Sequence, residues 1–142
     1  MDSNPYLLKE TLKYAIKYEL YENLIEDLYH TLQLEVKVES VTSKQKLPYI
    51  CHPNTHRLIK DLVIYESTLV GSDLKFSKSI AGILKKKIEV HLIERSSFII
   101  VAFLETERLK KLISKEDLKS AKKLSKDNPL CKGLQIILKY VK

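Results

Sequence analysis

At 142 residues, with 44% hydrophobic and 30% charged residues, the chain has the size and balance of one globular domain. No run approaches the roughly 20 apolar residues of a membrane span, Met1–Leu12 lacks the apolar core of a signal peptide, and Cys51 and Cys131 are too few for a secreted disulfide framework, so the chain reads as cytoplasmic with no membrane partner. The net charge of +7 is uneven: residues 1–71 hold 8 Lys and Arg against 10 Asp and Glu, residues 72–142 hold 17 against 8. Such a basic half suits an acidic partner, nucleic acid or nucleotide phosphate; since 22 of the 25 basic residues are lysine, it also suits a merely solubilising surface.

Three glycines and four prolines leave few tight turns, which favours an all-α domain of about six helices. Ser3-Asn4-Pro5 is a helix start, with Asn4 as N-cap and Pro5 in the first turn. Leu8, Leu12, Ala15, Leu24, Leu28 and Leu32 then recur at helical spacing. Tyr14, Tyr18, Tyr21, Ile25 and Tyr29 form a second stripe, either the edge of a core or the place where a partner packs. Residues 34–41, LEVKVESV, alternate like a strand but have no evident hairpin partner, so this short β segment reads as an extended edge or a distorted helix end, closing an N-terminal helix and extended segment over residues 1–42. Ser43–Pro48 reads as a polar connection.

Cys51-His52-Pro53-Asn54-Thr55-His56 looks like metal chemistry, yet a closed zinc site needs about four ligands in paired spacings. The remaining candidates, His30, His91 and Cys131, are isolated, so the motif reads as a turn capping a helix over Thr55–Tyr65, and no metal is expected. Gly71-Ser72-Asp73 breaks the chain and opens a basic helical half, residues 72–142. There Ser77 or Ser79 is expected to cap a helix through Ile80, Ile83 and Leu84 to the triple lysine Lys85-Lys86-Lys87, cations well placed at a helix C-terminus. The apolar run Phe98–Leu104 suits a buried strand or helix; a polar face continued by Glu105, Arg108, Lys111 and Lys115 favours helix. Ser114-Lys115-Glu116-Asp117 has the pattern of a capping box opening a helix that Asp127-Asn128-Pro129 stops, and Leu134, Ile137, Leu138 and Val141 make a last amphipathic segment.

No glycine-rich phosphate loop, His-Glu-x-x-His or nucleophile motif appears, and Glu116 and Asp117, adjacent on a helix, diverge by about 100°. The residues point to a binding protein or subunit, not an enzyme.

The order of the basic half resembles the C-terminal domain of the archaeal and eukaryotic primase large subunit. The resemblance is carried by Ile80–Lys87, then His91-Leu92-Ile93-Glu94-Arg95, Phe98–Leu104, Ser114–Asp117, Asp127-Asn128, and Gln135 with Tyr140. That domain holds an iron–sulfur cluster on four cysteines. With two cysteines, and Ser79 or Ile80 where the first would stand, this chain looks like a cluster-free version, as in small noncatalytic primase subunits of archaea, and no cofactor is expected. The spacing departs too, with three residues between His91 and Arg95 where the family has two. The resemblance implies a noncatalytic accessory subunit that binds the initiating nucleoside triphosphate and single-stranded DNA template beside the primase catalytic and large subunits. It implies that His91 and Arg95 contact phosphates, that Lys85, Lys86 and Lys87 attract them, and that Lys115 and Tyr140 line the same surface. The other reading is an interaction module that docks through Tyr14, Tyr18 and Tyr21.

Overall fold

The apolar run Phe98–Leu104 lies inside a helix, α6 (Ser97–Glu105), in a computed structural model that describes residues 5–18, 22–39 and 44–141. A helix apolar on every side must be covered on every side. Here α3 (Pro53–Ser67), α5 (Ile88–Ile93) and α8 (Lys132–Leu138) pack around it, and Ile99, Ile100 and Phe103 are fully buried. The expected all-α architecture is observed. Among the described residues α1 (Pro5–Lys17), α2 (Glu22–Gln33), α4 (Lys75–Lys86) and α7 (Ala121–Asp127) complete a set of eight α-helices with one small hairpin.

The face of α1 that carries Leu12, Ala15 and Ile16 is buried, and α1 packs on α3. In α2, Leu28 and Leu32 turn inward and the helix rests on α4. The cap expected at Asn4, and Tyr21 and Leu24 of the expected stripes, lie outside the residues and side chains described.

The alternating segment does have a hairpin partner. Glu35–Glu39 (β1) pairs antiparallel with Lys44–Pro48 (β2), in the register Glu35 with Pro48 through Glu39 with Lys44. The supposed connection is therefore a strand. Its sequence, KQKLP, hides this because it does not alternate: the adjacent Leu47, opposite Val36, and Pro48 are both buried, while Lys46 is exposed. Tyr49 N–H donates to Leu34 O at 2.7 Å and closes the base of the hairpin. A 3-10 turn, Tyr49–Cys51, then drives Ile50 and Cys51 inward.

The Cys51–His56 motif opens α3 two residues earlier than expected. His52 Nδ1 accepts from the Asn54 backbone N–H at 3.2 Å, and Pro53 occupies the first turn, where its missing N–H costs nothing. Among the described residues no group of three or more His, Cys, Asp or Glu side chains stands together as metal ligands.

Neither Ser77 nor Ser79 caps α4. The cap comes from α3: Glu66, 1% exposed, accepts from the backbone N–H groups of Phe76 at 3.1 Å and Ser77 at 2.8 Å. A carboxylate held at a helix N-terminus is favoured by both hydrogen bonds and the helix dipole. Ser79 instead donates to Lys75 O, one turn back. The intervening turn passes through Gly71 at φ 79° and Leu74 at φ 58°, both left-handed. Arg108 pins this turn, since its guanidinium donates to the carbonyls of Ser67, Leu69 and Ser72 at 2.7–2.9 Å. That engagement corrects the expectation that the α6 face continues through Arg108 to Lys115: the helix ends at Glu105, and Thr106 is extended.

The capping box at Ser114 forms as expected. Asp117 N–H donates to Ser114 Oγ at 3.2 Å and Ser114 N–H donates to Asp117 Oδ2 at 2.9 Å. It does not lead directly into a helix. Leu118, Lys119 and Ala121 donate to carbonyls three residues back, so the chain runs as turns until α7 begins at Ala121. Gly133 lets α8 approach α6 closely, because a Cβ there would sit 2.8 Å from Ser97 Cβ.

A basic pocket at the junction of α2, the hairpin and α4

The lysine turn lies where the helix dipole leads it, at the C-terminal end of α4, but each ammonium is already engaged. Lys85 reaches Asp117 at 3.6 Å, tying α4 to the Ser114 box. The Ser114 backbone N–H first, then its hydroxyl and Lys85, hold the Asp117 carboxyl below the usual carboxylate range. Lys86 donates to the Tyr29 hydroxyl at 2.6 Å and to Gln33 Oε1 at 3.3 Å, with its ammonium 4.9 Å from the Tyr29 ring centroid. Lys87 reaches Glu35 at 3.4 Å. The basic turn is thus a clasp that joins α4 to the N-terminal half through Lys86 and Lys87 and to the Ser114 box through Lys85.

Beneath the clasp is a pocket of about 180 Å³, lined by Gln33, Pro48, Ile83, Lys86, Lys87 and His91. His91 is 1% exposed and its ring is oriented from behind, with Nδ1 2.7 Å from Ser96 Oγ at the start of α6. Cys51 completes a cluster, its sulfur 3.5 Å from Ser96 Oγ and 3.8 Å from His91 Nδ1. Burial, followed by the nearby Lys87, pulls the His91 pKa down to about 4; burial pushes the Cys51 thiol up to about 11. Both groups are therefore neutral at pH 7. Sulfur and imidazole stand together, but burial favours the thiol and the neutral ring, the reverse of the ion pair that activates a cysteine nucleophile. The cluster acts as a neutral hydrogen-bond network that orients the ring.

Of the residues singled out by sequence, the pocket brings together Lys86, Lys87 and His91. Lys85 does not line it and pairs with Asp117 instead. Arg95 does not line it: α5 ends at Ile93, Glu94 is extended, and the chain turns before Arg95. The Arg95 guanidinium is half-buried, engaged within the protein, and near enough to His56 to disfavour that ring's protonation. Lys115 is exposed within the Ser114–Asp117 box. Tyr140 donates to Glu105 Oε2 at 3.4 Å, at the opposite end of α6 from Ser96, about 13 Å of helix rise away. Tyr14 and Tyr18 lie together at the C-terminal end of α1, 59% and 52% exposed with ring centroids 4.6 Å apart, and neither lines the pocket.

Tyr29, Gln33, Pro48 and Ser96 belong to the pocket and its support; the sequence assigned none of them to a phosphate site, and placed Tyr29 in the tyrosine stripe as a core edge or a partner surface. One signal was present: Tyr29 and Gln33 are four residues apart and share a helix face. Nothing local to either announces a lysine more than 50 residues away.

The fold and the pocket together define a mainly helical protein with a basic cleft between its two halves. Compared with family models, curated proteins and solved structures, the chain matches none of them.

Proposed function

We propose that the chain is a noncatalytic accessory subunit of a DNA primase, binding the initiating nucleoside triphosphate and the single-stranded template beside the catalytic and large subunits. The observation that carries this reading is the pocket, where Lys86 and Lys87 meet His91 at the end of α4. Their order along the chain, a helix, a basic turn, a histidine step and a buried apolar helix, is the order on which the resemblance to the primase large-subunit domain rests. A phosphate group suits such a site because charge-assisted hydrogen bonds to an ammonium are about twice as strong as neutral ones.

The template is assigned to a second basic surface. Lys122, Lys123 and Lys126 on α7 are exposed and enter no ion pair among the described residues, and Lys115 stands exposed on the preceding turn. Single-stranded DNA neutralising Z such lysines gives an affinity that falls with log salt at a slope of about −0.7Z. The test combines the purified chain with primase catalytic and large subunits. Co-elution and a rise in primer initiation on a single-stranded template are expected; absence of both rejects the reading.

A second reading is favoured by one observation, the exposure of Tyr14 and Tyr18 on α1. Paired exposed tyrosines with a lysine over one ring, Lys17 above Tyr18 at 5.3 Å, suit a protein partner. In the primase reading this face meets another subunit. In an interaction module it is the whole function, and Tyr14→Ala with Tyr18→Ala then abolishes complex formation while nucleotide has no effect on it.

A further inference from the structure

Lys85, Lys86 and Lys87 carry the same charge, but their partners differ in kind. Lys85 faces the Asp117 carboxylate and Lys87 faces that of Glu35. Among the described residues Lys86 has only neutral partners, the Tyr29 hydroxyl and ring and the Gln33 side-chain oxygen. An ammonium has three N–H donors. Two of those on Lys86 are committed, one remains, and the side chain lines the pocket. Its charge is therefore the one in the triple lysine that no carboxylate among the described residues offsets.

Lys86 is also held in advance. Gln33 is fixed at its other end, its Nε2 donating to Tyr29 O at 3.0 Å, so the oxygen that receives Lys86 cannot swing away freely. A cation positioned this way loses little side-chain freedom when an anion arrives. Opposite it, His91 is neutral and oriented by Ser96, so it adds a polar edge but no second charge. The volume, about 180 Å³, is smaller than the roughly 300–1,000 Å³ of pockets that enclose a whole small molecule.

We propose that this pocket takes one phosphate group, inorganic or the terminal phosphate of a nucleotide, on Lys86, with Tyr29 and Gln33 as positioning residues and any sugar and base left outside. The choice of a nucleotide as the source rests on the primase reading; the pocket and its lysine do not. The N-terminal half, which carries no part of the resemblance, then supplies the groups that aim the binding cation.

The full chain is titrated at low ionic strength with inorganic phosphate, ATP and adenosine, following affinity and the Lys86 ammonium signal by NMR. Phosphate and ATP are expected to compete and to shift that signal, and adenosine to do neither. Lys86→Met weakens phosphate by about tenfold or more, the scale of a charged hydrogen bond, and Lys85→Met changes it less than about twofold. Tyr29→Phe keeps the ring and the melting temperature yet weakens phosphate several-fold, which a purely structural role would not do. Equal losses from Lys85→Met and Lys86→Met, or no saturable phosphate binding, overturn the proposal. If Lys86→Met fails to fold, a wild-type Lys86 signal that ignores phosphate overturns it equally. Phosphate binding on Lys86 without any effect on primase leaves the pocket standing and removes the primase reading; ATP binding that ignores Lys86 does the reverse.

Discussion

His56 and His91 are buried side chains whose neutrality the fold requires. Burial lowers both pKa values to about 4; His56 also feels Arg57, Lys60, Arg95 and His52, and His91 feels Lys87. His56 sits against Phe98, ring centroids 6.1 Å apart, and its Nδ1 has no hydrogen-bond partner among the described residues. The unfolded chain takes up protons on these rings near pH 6.5, before the folded chain does. Stability is therefore full above about pH 6.5 and falls as pH drops toward 4, with a limiting slope of about 1.4 kcal/mol per pH unit for each ring. Urea melts at pH 7, 5.5 and 4.5 check this, and His56→Phe is expected to flatten the profile while His91 retains its share. At this scale the sequence was partly legible. His91 stood out for its neighbours, yet its burial follows from Ser96 and Cys51, and Cys51 lies 40 residues away.

Elements in this protein are joined by side chains acting on backbone at a distance. Glu66 caps α4 from α3, and Arg108 holds the turn between them. Glu66→Ala strands two buried N–H groups and is expected to cost about 3 kcal/mol, read as a shift in denaturation midpoint; Glu66→Gln, which keeps an acceptor, costs less. Where α8 crosses α6, Gly133→Ala forces a methyl group onto Ser97 and is expected to destabilise by about 1–3 kcal/mol. Its partner change Ser97→Gly should recover part of that loss. Helical character was readable where a segment's own residues specify it, in the apolar period of Leu8–Leu32, the turn before α3 and the run in α6, although that period reads as one N-terminal helix and is two, α1 and α2. The Lys44–Pro48 strand was not, since its identity is fixed by pairing with Glu35–Glu39 and one inward Leu47. The turns of 115–120 defeated a correct capping signal for the same reason: Lys85 binds Asp117 and holds the box against α4.

At the scale of the whole molecule, the sequence divides into a slightly acidic half and a basic one, and the fold places the clasp between them. The charge asymmetry was legible as composition, but not its use. Two of the three clasp lysines neutralise carboxylates, while the lysines on α7 remain exposed. Only the folded arrangement separates the structural cations from the available ones. The N-terminal half, which the sequence connects only with partner docking through its tyrosines, supplies Tyr29, Gln33, Glu35 and Pro48 to the clasp and the pocket. Binding in the pocket should therefore stabilise both halves together, by RT ln(1 + [L]/Kd), and raise the melting temperature of the chain as a single transition.

The central claim is that a nucleotide is held by its phosphate on Lys86. Calorimetric titration of ATP into the wild-type chain and into Lys86→Met, at low and physiological salt, tests it most directly. The account predicts saturable binding of ATP but not adenosine, weakened by salt and reduced about tenfold or more in the variant. Binding of adenosine as tight as that of ATP, or ATP binding unchanged by Lys86→Met, would contradict it.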